Sequence, residues 1–130
     1  MKYVAAITFV LLVAFGVSAA SAFDYPSLTC RYGSETTGIT TQADYDYIEP
    51  MDRYLKAEDI DGTTIVTGAF TPLRHAGKLM LTEISTSEWS DMLIILTEVI
   101  DLETLEFRQN IIGIRDEVDV QSKVGFCIKR

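Results

Sequence analysis

From Leu28 onward the apolar residues come in short runs rich in Ile, Val, Leu, Thr and Tyr, cut at close intervals by Gly, Asp, Ser and Pro. β-branched and aromatic side chains suit a pleated, half-buried surface and lose rotamer freedom in a helix, so this pattern selects strands. A first strand is expected over Leu28 to Tyr32, with Leu28, Cys30 and Tyr32 on one face and Thr29 and Arg31 on the other. Glu35 to Pro50 mixes Thr, Gly and acidic residues with Tyr45, Tyr47 and Ile48, and fits either an ordered loop or a strand. In a strand, Tyr45, Tyr47 and Glu49 would share a face, and Pro50, which cannot donate to a ladder, would end it or place it at an edge.

The clearest local signal is Asp61-Gly62 between Arg53–Ile60 and Thr63–Phe70. It is the dipeptide of a two-residue hairpin turn that needs positive φ at both positions. Pro72 is then expected to end the second strand, with Leu73 to Gly77 as a connection. Lys78 to Ile84 alternates Leu79, Leu81 and Glu83 against Met80, Thr82 and Ile84, and Ser85 to Asp91 is a polar turn region holding Trp89. Met92 to Ile100 is apolar on both faces apart from Thr97 and Glu98, the pattern of a strand buried on both sides or at the centre of the sheet. Leu105 to Ile114 and Val120 to Ile128 follow, separated by turns at Asp101–Thr104 and Arg115–Asp119. The last strand places Val124, Phe126 and Ile128 on one face and Cys127 on the other. A competing reading makes Ser87 to Phe107 one helix capped by Ser87, but Ile94, Ile95, Thr97, Val99 and Ile100 are β-branched, and Leu102 and Leu105 fall off its apolar stripe.

The expected fold is therefore all-β: an antiparallel meander of about seven or eight strands, forming a small sandwich or an up-and-down barrel. The two cysteines add one constraint. Cys30 lies in the first strand and Cys127 in the last, so a disulfide between them would fasten the seam of a closed meander.

An oxidising compartment is expected from the N-terminus. Lys2 precedes an uncharged apolar run from Tyr3 to Val17, and Ala20 and Ala22 are the small residues a signal peptidase accepts three positions and one position before its cut. Residues 1–22 are thus expected to be a cleavable signal peptide and 23–130 a single exported domain, secreted or periplasmic. Gly16 interrupts the apolar run near its end, and Phe23-Asp24-Tyr25-Pro26 lacks the basic flank of a stop-transfer segment, so no membrane span is expected after cleavage.

Charge narrows the partners. The chain has 19 acidic residues and a formal net charge of −8 at pH 7, and the leader removes only one charge, Lys2. Nucleic-acid binding needs clustered Lys and Arg, which here are scattered. Catalytic and metal constellations are equally hard to assemble. His75 is the only histidine and sits in a turn-like segment, and both cysteines are claimed by the disulfide. Asp59, Asp61 and Gly62 resemble the middle of an EF-hand loop, but the register puts Ala57 first and Gly68 twelfth, so both end ligands are missing. No metal or cofactor is expected.

Two function classes remain. One is non-enzymatic binding or scaffolding of a protein or a small apolar ligand, with Phe70, Leu81, Leu96, Phe107 and Phe126 as candidate lining. The other is a small hydrolase using paired carboxylates such as Asp44 with Asp46, or Glu103 with Glu106. Tyr45, Tyr47 and Tyr54 are the candidate stacking residues for a sugar or an aromatic ligand, and equally the ordinary filling of a sheet.

Overall fold

The structure, a computed structural model, describes residues 25–130 apart from positions 88 and 90. The expected leader, residues 1–22, lies outside the described residues. Eight strands follow one another: β1 (Leu28–Gly33), β2 (Thr41–Ile48), β3 (Arg53–Ile60), β4 (Thr63–His75), β5 (Lys78–Ser87), β6 (Met92–Asp101), β7 (Glu106–Ile114) and β8 (Val118–Lys129). Each pairs antiparallel with the next, and β8 returns to β1, closing an up-and-down barrel. Followed through the eight ladders, the register returns to β1 displaced by roughly ten residues, the stagger that strand tilt in a closed barrel requires.

The seam is covalent. Cys30 and Cys127 stand opposite each other in the β1–β8 ladder, both buried, with their Sγ atoms bonded. The uncertain segment resolves into a loop and then β2, with Tyr45 and Tyr47 on the inward face, while Glu49-Pro50-Met51 forms a single 3-10 turn. The helix over Ser87 to Phe107 does not form: β6 and β7 occupy that stretch on either side of a short turn.

Two local expectations around Pro72 are corrected. β4 does not stop there; it runs through Pro72 to His75, and the connection shrinks to Ala76-Gly77, with φ of 51° and 75°. Pro72 is tolerated because its nitrogen points toward β3, which begins only at Arg53, level with Thr71, so no ladder donor is lost. Ala76 carried no turn signal because a residue with a Cβ rarely takes positive φ. The Asp61-Gly62 turn forms as expected, with φ of 51° and 80°.

The barrel is packed unevenly along its axis. At the end where Tyr25 and Arg130 lie, Leu28, Tyr54, Phe70, Leu79, Ile100 and Phe107 are at most 1% exposed. Tyr25 stacks on Tyr47 with ring centroids 4.5 Å apart, and the Tyr54 hydroxyl donates to the Pro26 carbonyl at 2.9 Å. This end is a solid apolar plug.

The other end is split. β1 pairs with β8 only as far as Gly33–Val124, and β4 pairs with β5 only as far as Thr71–Thr82. Beyond those points β5 to β8 continue as a four-stranded sheet whose two edges, Glu83–Ser87 and Val118–Lys123, pair with no further strand among the described residues. At the first gap the Glu83 carboxylate accepts the backbone N–H of Ala69 on β4 at 3.2 Å, standing in for one missing ladder bond.

Candidate functional site

Midway along the barrel the inward face turns polar. Lys56 of β3, Glu98 of β6 and Gln109 of β7 are 5%, 0% and 3% exposed. The Lys56 ammonium lies 3.4 Å and 3.5 Å from the two Glu98 oxygens, the Tyr45 hydroxyl donates to Oε2, and the Gln109 amide donates to the same oxygen at 3.4 Å. The ammonium also sits over the Tyr32 and Tyr45 rings, 4.9 Å and 5.6 Å from their centroids. Burial pushes the Glu98 carboxyl above the ordinary carboxylate range, and Lys56 and Tyr45 only partly oppose this. Burial and the nearby Glu98 charge likewise raise the Tyr45 and Tyr32 hydroxyls.

These groups face one another across the barrel, tying β2, β3, β6 and β7 together. Among the described residues Gln109 Oε1 alone of the buried side-chain polar atoms has no partner. The amide has little choice, because its Nε2 must face the Glu98 carboxylate, which leaves the carbonyl oxygen unmatched. Neither Lys56 nor Glu98 was singled out as a site by sequence. A signal existed for Glu98: it interrupts the inward phase Met92, Ile94, Leu96 and Ile100, where every other residue is apolar.

The outer wall departs from the usual arrangement. Because Cys127 points inward, the even-numbered residues of β8 point outward, and Val118, Val120, Phe126 and Ile128 are 65%, 58%, 48% and 57% exposed. The inward residues of the same stretch are Asp119, Gln121, Lys123 and Gly125, so β8 is apolar outside and largely polar inside. The apolar face extends sideways in register: Ile84, Ile95, Ile112 and Val120 form one row across β5 to β8.

Phe126 separates two grooves. One, of about 370 Å³, is lined by Thr29, Arg31, Gln42, Phe126 and Ile128. The other, of about 390 Å³, lies among Glu35, Glu106, Arg108, Val124 and Phe126. Arg31 stands opposite Phe126 in the β1–β8 ladder and donates from Nε to Gln42 Oε1 at 2.9 Å, giving the first groove a polar rim. A Cβ on Gly125 would meet the Arg31 carbonyl oxygen at 1.9 Å, so only glycine lets the two strands close beside Phe126.

The other sequence candidates lie elsewhere. Phe70, Leu81 and Phe107 belong to the packed core, Leu96 packs against it, and of the five proposed lining residues Phe126 alone is exposed. Asp44 and Asp46 share the outer face of β2, where Asp44 accepts from the Thr29 hydroxyl at 2.6 Å and Asp46 from Arg130 at 3.0 Å. Glu103 and Glu106 lie at the β6–β7 turn, both exposed. Tyr45 and Tyr54 are fully buried, and the Tyr47 hydroxyl donates to Asp52 at 2.7 Å, which raises its pKa to about 12. His75 ends β4, exposed, Asp59 lies near the end of β3, and Asp61 is the first residue of the hairpin turn. Among the described residues no three His, Cys, Asp or Glu side chains converge as a metal site would require. Comparison with protein families, with curated proteins and with solved structures finds no match.

Proposed function

We propose that this chain is an exported, non-enzymatic scaffold that binds a protein through the outward face of β8. The observation carrying this reading is the inversion of that strand: its apolar side chains face solvent while the barrel interior beneath is filled by others. A monomer with no partner would keep such a face polar. Phe126, an aromatic between two grooves with an arginine beside it, has the composition of an interface anchor.

The filled plug weighs against the alternative of a small apolar ligand held in the barrel, because the side chains that would line its site pack on one another instead. The test is a photo-crosslinking amino acid placed at position 126 in the exported protein, with the same residue at Arg53 on the polar side as control. A discrete protein adduct formed from 126 and not from 53 is expected. Adducts equal from both positions, or none from 126, would reject the reading. Native mass spectrometry showing a small molecule bound in place of a protein would replace it.

A further inference from the structure

The open edge of β8 carries a partner signature of its own. Along this strand the backbone N–H of Cys127 donates to Leu105 at 2.7 Å, on the β6–β7 side, and that of Arg130 to Ser27 at 2.9 Å, on the β1 side. N–H and C=O groups therefore alternate, odd residues toward β7 and even residues toward β1. Above Val124 there is no β1 to receive them. Among the described residues none pairs with the N–H and C=O of Val120 and Ser122 on this side, and Val118 to Ser122 are exposed on both faces.

Such an edge is a template for another strand. The chain's own sequence fits it. Antiparallel pairing of Asp119–Lys123 with a second copy, centred on Gln121, sets Val120 opposite Ser122 as hydrogen-bonded pairs, using the free groups. It also sets Asp119 opposite Lys123 twice, one acid against one base on the same face of the sheet. Shifting the centre to Ser122 leaves no acid opposite a base, and shifting it to Val120 leaves Lys123 only Glu117, which lies in the turn outside β8. The two copies would then share a continuous eight-stranded sheet, with the apolar rows containing Val120 on one side and the matched charges on the other.

We infer that β8 is the contact strand of a two-fold homodimer in which Asp119–Lys123 pairs with itself about Gln121. This goes beyond the scaffold reading above: it uses the edge of β8 and leaves the outward apolar face around Phe126 free for a different partner.

Three measurements on the exported protein test it. Sedimentation velocity should show reversible dimerisation in the micromolar range. Asp119→Lys, at an exposed position, sets lysines opposite each other and should weaken the dimer about tenfold or more while the melting curve stays close to the parent's. Gln121→Cys should form an intermolecular disulfide under mild oxidation, much faster than a control Thr64→Cys, because residue 121 meets its own copy at the axis. A protein monomeric throughout, a dimer indifferent to Asp119→Lys, or no faster crosslinking from 121 would each overturn the inference. If the chain is monomeric and position 126 still captures a different protein, the scaffold reading stands and the self-pairing falls alone.

Discussion

Lys56→Met probes the buried charge pair with a sign and a size that the geometry fixes. The substitution keeps most of the side-chain volume and removes the ammonium facing Glu98, a carboxylate with 0% exposure. Glu98 must then either stay ionised without a counter-charge or hold a proton. Holding a proton at pH 7 costs about 1.4 kcal/mol for each unit above the ordinary carboxylate value near 4.3, a ceiling on the order of 4 kcal/mol. The parent already bears part of that cost, because the Glu98 pKa is raised even with Lys56 in place. The expected loss at neutral pH is therefore a part of that ceiling, on the order of 1–3 kcal/mol. A group whose pKa is raised in the fold binds its proton more tightly there than in the unfolded chain, so its contribution to stability falls as pH rises through that window. The Lys56→Met penalty should grow in the same direction and vanish near pH 4, where Glu98 is neutral in both proteins. Glu98→Gln relieves the carboxylate's desolvation while leaving Lys56 over the two tyrosine rings, so it should cost less than Lys56→Met. The double variant should return to within about 1 kcal/mol of the parent. Urea unfolding followed by far-ultraviolet circular dichroism from pH 4 to 8 measures all four proteins. A Lys56→Met loss that is the same at both ends of that range, or no loss at neutral pH, would refute the reasoning.

Replacing both Cys30 and Cys127 by Ser opens a loop with a sequence separation of 97, which on the loop-entropy account removes roughly 4–5 kcal/mol. That corresponds to a fall in melting temperature of roughly 15–25 °C for a domain of this size, and an unchanged melting curve would contradict the seam. Gly62 has φ of 80° with open space around it, so Gly62→Val should cost about 1–3 kcal/mol by backbone strain alone, and Gly62→Asn clearly less; equal stabilities would reject the turn assignment. Asp101 accepts the backbone N–H groups of Thr104 and Glu103 and pairs with Lys78, which lowers its pKa to about 2. Its contribution is present above the ordinary aspartate value and is lost as pH falls toward 2, so Asp101→Asn should flatten that part of the acid unfolding curve, and an acid limb identical to the parent's would disprove the role.

Alternation and turn chemistry are local, and what they dictate was legible: the Asp61-Gly62 hairpin, the paired faces of β1 and β5, and a count of about eight strands. The misreadings have the same local origin. Pro72 looks like a stop only if its nitrogen owes a hydrogen bond, and whether it does depends on where β3 begins, which is a matter of register between strands. Lys56 was not legible because its segment alternates Tyr54, Lys56 and Glu58 against Leu55, Ala57 and Asp59, which leaves the inward phase open, whereas Gln109 shares the phase of Leu105, Phe107 and Ile111 against Glu106, Arg108 and Asn110, a signal that its position faces inward. β8 differs, since alternation says which residues share a face but not which face is inside, and here one covalent bond decides it. Cys30 shares its face with Leu28 and Tyr32, both buried, and Cys127 must meet Cys30. Cys127 is therefore inside, and the strand's alternation then forces Val124, Phe126 and Ile128 outside against their own hydrophobicity. A free apolar run would turn inward at the cost of a one-residue slip. The disulfide and the close approach at Gly125 forbid that slip, so the exposed face is built into the same register that closes the barrel.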